Sequence, residues 1–276
     1  MVGCNSLAGS KNKQSLFLEN KRRGRVKIKG DKMPERSIEL QRILNEQRKI
    51  SSENILLKEQ LNKKNRQINE LYHHISALSQ EMQEICFQLL STVSIAMEMR
   101  DGYAKEFAEK TSMYGVKIAR AMGLSQIRID LVRRAGYLLE IGRLGLRENV
   151  FAKMEKMTEE EYKMIKSHPK LAEDILKPIK FLEEIIPIVR HHHERYDGKG
   201  YPDGLGGEQI LLESRILAVT SAYVAMTQER PHRKALDKEQ AELELRNGSN
   251  SQFDPEIVET FIGVLENEDN SMIIIE

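Results

Sequence analysis

The sequence predicts an all-α protein in which a long coiled-coil helix precedes a compact helical bundle. Two observations carry this prediction. A heptad pattern of apolar residues runs without interruption through part of the N-terminal half, and a series of shorter amphipathic segments with helix-capping residues follows it. Stretches of alternating polar and apolar residues, which are typical of strands, are too short to indicate more than a minor sheet.

Residues 1–33 are predicted to form a basic, disordered tail. Nine Lys or Arg residues lie there against only two acidic residues, Glu19 and Asp31, with glycines interspersed and little periodicity. Such a tail is either an arm attracted to an anionic lipid, nucleic acid or acidic protein surface, or simply a solvated segment. No aromatic residues alternate with the charges, which argues against nucleic acid.

Residues 34–91 are predicted to form a coiled coil, as a parallel dimer. Seven heptads stay in one register without an internal Gly or Pro. The apolar a and d residues are Leu40, Ile43, Ile50, Leu57, Leu61, Ile68, Leu71, Ile75, Leu78, Met82, Ile85 and Leu89. The polar members of the frame are Gln47 and Asn54 at a and Lys64 at d. Because a buried Asn at a pairs best with its own copy, Asn54 favours a homodimer, and a mixed coil with a partner protein is the alternative.

Residues 92–270 are predicted to form one all-helical domain, followed by a short tail at 271–276. Thr158 and Glu161 match a capping box, and Asp254 before Pro255 matches a helix start. The predicted helices cover about 103–122, 126–142, 159–176, 179–194, 212–227, 237–245 and 255–266.

Composition excludes several classes of protein. The formal net charge is +1, so a protein that is polyanion-binding or acidic as a whole is excluded. No apolar run approaches the roughly 20 residues that span a bilayer, and the N-terminus lacks the apolar core of a secretory signal. Cys4 and Cys86 form neither a disulfide framework nor a metal knuckle. We therefore expect a cytoplasmic protein, with association with a membrane-bound assembly left open.

Four histidines of this domain are candidate metal ligands: His168, His191, His192 and His193. Adjacent histidines on one helix point about 100° apart, so His192 and His193 are expected to reach two neighbouring metals and not one. The alternative is that histidines in the last turn of a helix simply favour the negative end of its dipole.

The glycine-rich segment after these histidines identifies a family. The string HHERYDGKGYPDGL resembles the signature of the HD-GYP family, and AEDILKPIKFLEEIIPIVR, RILAV, AMTQERPHRKAL and QFDPEIVETF also look like that family. The chain is identified as a member over roughly residues 95–265. The resemblance implies a helical bundle with two or three iron-type metals at its centre and hydrolysis of cyclic di-GMP.

Several of the family's functional positions are replaced in this chain. The LLHDIGKIGI stretch of the family reads LLEIGRLGL here, which puts Leu139 at the His position, Glu140 at the Asp position and Arg143 at the Lys position. An earlier family histidine falls at Phe107, and a later aspartate falls at Ser221. Leucine and phenylalanine cannot bind a metal, and we expect both to fill the vacated interior while Glu140 pairs with Arg143.

The remaining family ligands are His168, His192 and His193, which with Glu140 are enough for one remnant zinc or iron site. The family also implies that Tyr201 and basic residues of the RPHRKAL segment, Arg230 and Arg233, lie near bound phosphates. These arginines alternatively make structural ion pairs.

These replacements lead to the prediction of a non-catalytic regulatory or scaffolding protein, not an enzyme and without a required cofactor. In this interpretation the loop from Asp197 to Gly207 docks a partner protein, and the protein belongs to bacterial cyclic di-GMP signalling or motility machinery. Two alternatives stay open. One is a weak or non-standard metal-dependent cyclic di-GMP phosphodiesterase, and the other is a cyclic di-GMP sensor without hydrolysis.

Overall fold

The computed structural model describes residues 33–100, 106–146, 158–229 and 234–273. No β-strand lies within these ranges, so the predicted all-α class is confirmed. The α-helices are α1 (Met33–Arg100), α2 (Phe107–Ala121), α3 (Gln126–Leu138), α4 (Glu159–Ile165), α5 (His168–Leu176), α6 (Ile186–Arg190), α7 (Leu212–Thr227), α8 (Lys238–Gly248) and α9 (Pro255–Ile273). Arg230, Arg233 and nearly all of the predicted basic tail lie outside the described residues.

The chain divides after His74 into two units. In the first unit the described residues belong to α1, and their side chains are exposed from residue 35 onward. The helix continues without a break past the predicted domain boundary at residue 91 and ends at Arg100. None of the helices described is long and apolar enough to cross a membrane.

The second unit, residues 75–276, has a core in which α2, α3, α7 and α9 pack together. The fully buried ring of Phe261 lies edge-on to Tyr223, at 5.0 Å between ring centroids, and to Tyr114, at 5.3 Å. Helix α7 is apolar on most of its surface, as expected for a helix enclosed by others. This core holds the helix ends that carry the candidate site.

Two predicted helices are shorter than expected, and both differences affect the site. The segment 159–176 forms two helices that meet at Ser167, whose hydroxyl donates to the carbonyl of Met164 at 2.6 Å. The segment 179–194 forms only a 3-10 turn at Lys180–Leu182 and then α6, which ends at Arg190. His168 therefore begins a helix, and His191–His193 lie in a turn after one.

A backbone contact fixes the distance between two parts of the site. After α3 the chain makes a 3-10 turn, Ile141–Gly145, that packs against α5. A Cβ atom on Gly142 would lie 1.9 Å from the carbonyl oxygen of His168 and 2.6 Å from the amide nitrogen of Ala172. Glycine is required here because no side chain fits between the two backbones.

Replacing Gly142 should therefore destabilise this domain. We expect Gly142→Ala to lower the free energy of unfolding by about 1–3 kcal/mol or more, since the clash involves backbone atoms that cannot rotate away. Chemical denaturation followed by circular dichroism measures the change. Gly263→Ala in α9 is the matched control: nothing lies within 4 Å of its added Cβ. This control should be neutral or stabilising by up to about 1 kcal/mol, and equal effects of the two variants would contradict the packing argument.

Candidate metal centre

Four donor side chains from three parts of the chain converge on one point. Glu140 precedes the 3-10 turn, His168 begins α5, and His192 and His193 lie in the turn after α6. One donor atom from each lies within 4.8 Å of the donors of the other three. Three imidazoles and a carboxylate form a donor set typical of zinc or iron.

Hydrogen bonds orient two of the imidazoles. The Nδ1 atom of His168 lies 2.7 Å from the carbonyl oxygen of Ile165, and the Nδ1 atom of His192 lies 2.6 Å from that of Val189. A carbonyl oxygen only accepts, so each Nδ1 carries the proton and donates. In the neutral ring Nε2 then holds the lone pair, and the backbone supplies the orienting partner that ligating histidines usually have.

The two lone pairs face each other across a gap that suits a cation. His168 Nε2 and His192 Nε2 are 3.4 Å apart, and in two neutral rings with Nδ1 protonated neither has a proton to donate to the other. Two nitrogens on one tetrahedral zinc lie about 3.3 Å apart when each Zn–N bond is roughly 2.0–2.1 Å. The Glu140 carboxylate is 3.8 Å from His168 Nε2 and 3.9 Å from His192 Nε2. The residues present thus fit a single metal ion.

The short α6 corrects the expected geometry of the paired histidines. On a continuous helix His192 and His193 would point about 100° apart. Because α6 ends at Arg190, their rings instead lie 4.0 Å apart between centroids, at an interplanar angle of 41°. Both can face one ion. The expectation that they serve two separate metals assumed that both lie on one helix, and that assumption is wrong.

Burial keeps these imidazoles neutral. Removal from water lowers the pKa of His192 to about 4, helped by neighbouring His168 and opposed by the charge of Glu140. Burial and the neighbouring His192 likewise hold the pKa of His193 well below its ordinary value. Metal ligation needs the neutral ring, so no proton has to be displaced from either residue at neutral pH.

The buried carboxylate of Glu194 holds the glycine-rich loop in place through backbone hydrogen bonds. Glu194 accepts backbone N–H bonds from Asp203 at 2.6 Å, Gly204 at 3.1 Å and Leu205 at 3.1 Å. The guanidinium of Arg190 donates two hydrogen bonds, of 2.9 and 2.7 Å, to the carboxylate of Asp203. These bonds hold the pKa of Asp203 at about 2. These contacts fix the loop directly beside the histidine turn.

The loop places Tyr201 on the metal centre. The Tyr201 amide donates to the carbonyl of His193 at 3.2 Å, and its ring stacks on the His193 ring at 4.9 Å between centroids. Both rings line a cavity of about 410 Å³, together with all four donor residues, Arg143 and Ser221. A pocket of this size with convergent polar groups is suited to a small-molecule ligand.

Comparison with known proteins identifies the domain. The HD domain family matches residues 56–257. The chain belongs to the HD domain family. It is 34% identical over 194 residues to the cyclic di-GMP phosphodiesterase response regulator RpfG of Xanthomonas campestris, covering 70% of this chain and 51% of that protein. It is 31% identical over 186 residues to a cyclic di-GMP phosphodiesterase of Thermotoga maritima, covering 66% of this chain and 50% of that protein.

A solved structure agrees at the level of fold. The crystal structure of a cyclic GMP-AMP specific phosphodiesterase of Vibrio cholerae superposes with a TM-score of 0.53 at 20% identity, over 66% of this chain and 49% of that one. The chain spans about half the length of these relatives. The HD-GYP-like type predicted from the histidines and the glycine loop is confirmed.

Several of the positions that the resemblance marks as replaced lie in or near the cavity. Leu139 is buried in the hydrophobic core, and Phe107 is buried at the cavity wall. The Ser221 hydroxyl also lines the cavity and donates to the carbonyl of Ala218 at 3.2 Å. Arg143 Nε lies 3.7 Å from Glu140 Oε2, about the distance at which Glu140 also meets His168. Glu140 therefore faces the histidines as well as Arg143.

The prediction of a non-catalytic scaffold without a cofactor is contradicted by these findings. Relatives at 34% and 31% identity are named as phosphodiesterases, and the HD domain holds a His/Glu cluster able to bind a metal. The prediction gave most weight to the positions expected to be replaced. The structure instead brings the donor atoms of the four candidate donor residues within 4.8 Å of one another. The loop from Asp197 to Gly207, expected to dock a partner protein, includes Tyr201 in the cavity wall.

Glu98 is a buried acidic residue that the sequence analysis missed. Its side chain is 3% exposed, and its Oε1 atom accepts from the amide of Ala108 at 2.7 Å, at the start of α2. Burial raises the pKa of Glu98 to about 7 against the lowering effect of the amides of Ala108 and Phe107, and the charge of Glu140 adds to the rise. In the sequence, a carboxylate near the end of a coil is indistinguishable from ordinary surface charge.

The raised pKa of Glu98 predicts a pH-dependent stability. Between about pH 4.5 and 7 the folded state holds a proton that the unfolded state releases, so the stability falls as pH rises through this window. We expect Glu98→Gln to remove this fall. Its free energy of unfolding should therefore rise relative to that of the wild type by roughly 2–3 kcal/mol as the pH goes from 4.5 to 8. Denaturant titrations of metal-free protein across pH measure it. Glu183→Gln, at an exposed position, should leave the profile unchanged; parallel curves for wild type and Glu98→Gln would disprove the assignment.

Proposed function

We propose that this chain is a metal-dependent cyclic dinucleotide phosphodiesterase with a non-standard donor set, acting on cyclic di-GMP. The convergence of Glu140, His168, His192 and His193 in the wall of one cavity carries the proposal. The names of its relatives support the reaction and the substrate class.

The four donors would hold a divalent cation, which when bound polarises a phosphoryl oxygen and lowers the pKa of bound water. The hydrogen bonds to the carbonyls of Ile165 and Val189 keep two imidazoles in the tautomer that ligation requires. Arg143 brings a buried guanidinium to the same cavity, where it can balance the negative charge of a phosphodiester. Phe107 and Ala218 add apolar wall and limit the water that reaches the substrate.

Metal analysis combined with a hydrolysis assay tests the proposal. We expect the purified protein to hold close to one zinc- or iron-type ion per chain and to convert cyclic di-GMP into the linear dinucleotide. His192→Ala should lose the ion and reduce hydrolysis more than about 100-fold, because even outer-shell changes at metal sites cost 10- to 100-fold. His73→Ala on the exposed face of α1 is the matched control and should change neither quantity.

The alternatives give different results in the same assay. Tight binding of cyclic di-GMP by the metal-loaded protein with no linear product would contradict catalysis and favour a sensor. If His192→Ala still hydrolyses cyclic di-GMP at the wild-type rate, the four donors are not the catalytic site. Calorimetric titration of the metal-loaded protein measures the binding, and chromatographic separation of substrate and product after a fixed incubation measures the hydrolysis.

We also propose that α1 forms a parallel homodimeric coiled coil. In the part of α1 that belongs to the first unit, the apolar a and d side chains from Leu40 to Leu71 are 48–61% exposed. Fully burying one such side chain contributes about 1.5–3 kcal/mol, so a partner helix would supply the packing that the single helix lacks. In a parallel pair, Asn54 meets its own copy, and Glu53 at g lies opposite Lys58 at e of the second chain.

Cysteine cross-linking tests both the association and its direction. In a parallel, in-register dimer each d residue faces its own copy, so Leu57→Cys and Leu78→Cys should each form a disulfide-linked dimer under mild oxidation. These variants are made with Cys4 and Cys86 replaced by Ser. Cross-linking at neither position, or a monomeric mass by light scattering, would contradict the proposal. Asn54→Ile should preserve association but allow higher oligomers, since Asn at a specifies the dimer.

A further inference from the structure

A lysine lies beside two tyrosine rings of the cavity wall. Lys166 follows α4 as its C-terminal cap, and its ammonium lies 4.5 Å from the centre of the Tyr162 ring and 5.3 Å from that of Tyr201. Both tyrosines line the cavity of the metal centre. Tyr162 is 53% exposed, so part of its ring is available to a ligand.

These residues continue a series of ring contacts that begins at the metal centre. The His192 ring lies next to that of His193, and the His193 ring stacks on Tyr201. Lys166 then approaches Tyr201 and Tyr162 in turn. A ligand whose phosphate lies at the four donors would therefore extend its base toward the tyrosine rings and the lysine.

The chemistry of this position suits a purine base. Aromatic side chains stack on any base, because every base has a π face. The ammonium adds selectivity, since lysine donates hydrogen bonds and cannot accept them. Guanine presents two acceptors on its Hoogsteen edge, O6 and N7, whereas adenine presents the N6 amino donor beside N7. A donor-only group at this edge favours guanine.

We propose that Tyr162, Lys166 and Tyr201 form a base subsite in which Lys166 selects guanine over adenine. This inference rests on the proposed phosphodiesterase function and names the residue that selects the base. The cation–π contacts hold the ammonium beside the two cavity-lining rings before the ligand arrives, which reduces the ordering that binding requires.

Substrate preference tests the role of Lys166. The experiment compares kcat/KM for cyclic di-GMP and cyclic di-AMP, and Kd for both by calorimetry on metal-stripped protein. Wild type should prefer cyclic di-GMP, and Lys166→Ala should reduce that preference about tenfold, the loss expected for one base-edge contact. Lys166→Arg keeps a donor-only cation and should retain most of the preference. Tyr162→Ala should weaken both ligands roughly tenfold without changing their ratio, because stacking does not distinguish bases.

The control separates base selection from general charge attraction. Lys170 is an exposed lysine one turn further along, so Lys170→Ala removes a neighbouring charge and should leave the ratio unchanged. An equal loss for both ligands in Lys166→Ala would overturn the inference while leaving the phosphodiesterase function intact. A wild-type preference for cyclic di-AMP would overturn the inference together with the proposed substrate, but not the proposed hydrolytic chemistry. If wild type neither binds nor hydrolyses any cyclic dinucleotide, the proposed function itself fails.

Discussion

Helix α6 ends at Arg190, and the arrangement of the metal centre depends on that end. The carbonyl of Val189 in its last turn orients the His192 ring, and the turn that follows brings the His193 ring alongside. Glu194 then accepts three loop amides, and the loop returns Tyr201 to the His193 ring. A longer helix would separate the two histidines and leave the loop without its anchor.

The candidate metal centre brings together four donors, beside two buried apolar residues. Leu139 and Phe107, which the family resemblance puts at histidine positions, are buried, and their burial keeps the surrounding packing dense. Glu140 adds a carboxylate that lies 3.8 Å from His168 and 3.9 Å from His192. A smaller donor set held by backbone hydrogen bonds is consistent with a single ion in place of a cluster, because ligand number limits how many metals a site can hold.

Two acids near the centre, the buried Glu98 and the partly buried Glu140, have an energetic cost that a cation would offset. Glu98 is held at the start of α2 by backbone amides, yet burial and the nearby charge of Glu140 still raise its pKa to about 7. A positive ion among the four donors would lower the electrostatic cost of both carboxylates. Ion binding and domain stability are therefore expected to be coupled in this part of the protein.

The sequence by itself determined the all-α class, the heptad stripe of α1 and the HD-GYP-like type, and it named the four candidate donor residues. Each of these follows from a local pattern in the sequence: the spacing of apolar residues, helix-capping residues such as Thr158 and Glu161, or a contiguous motif. Only the tertiary structure decided that His192 and His193 face one point, that Glu140 lies between two imidazoles, and that Glu98 is buried. These features depend on where helices end and on close backbone approaches such as the one at Gly142, which arise from contacts between residues far apart in the chain.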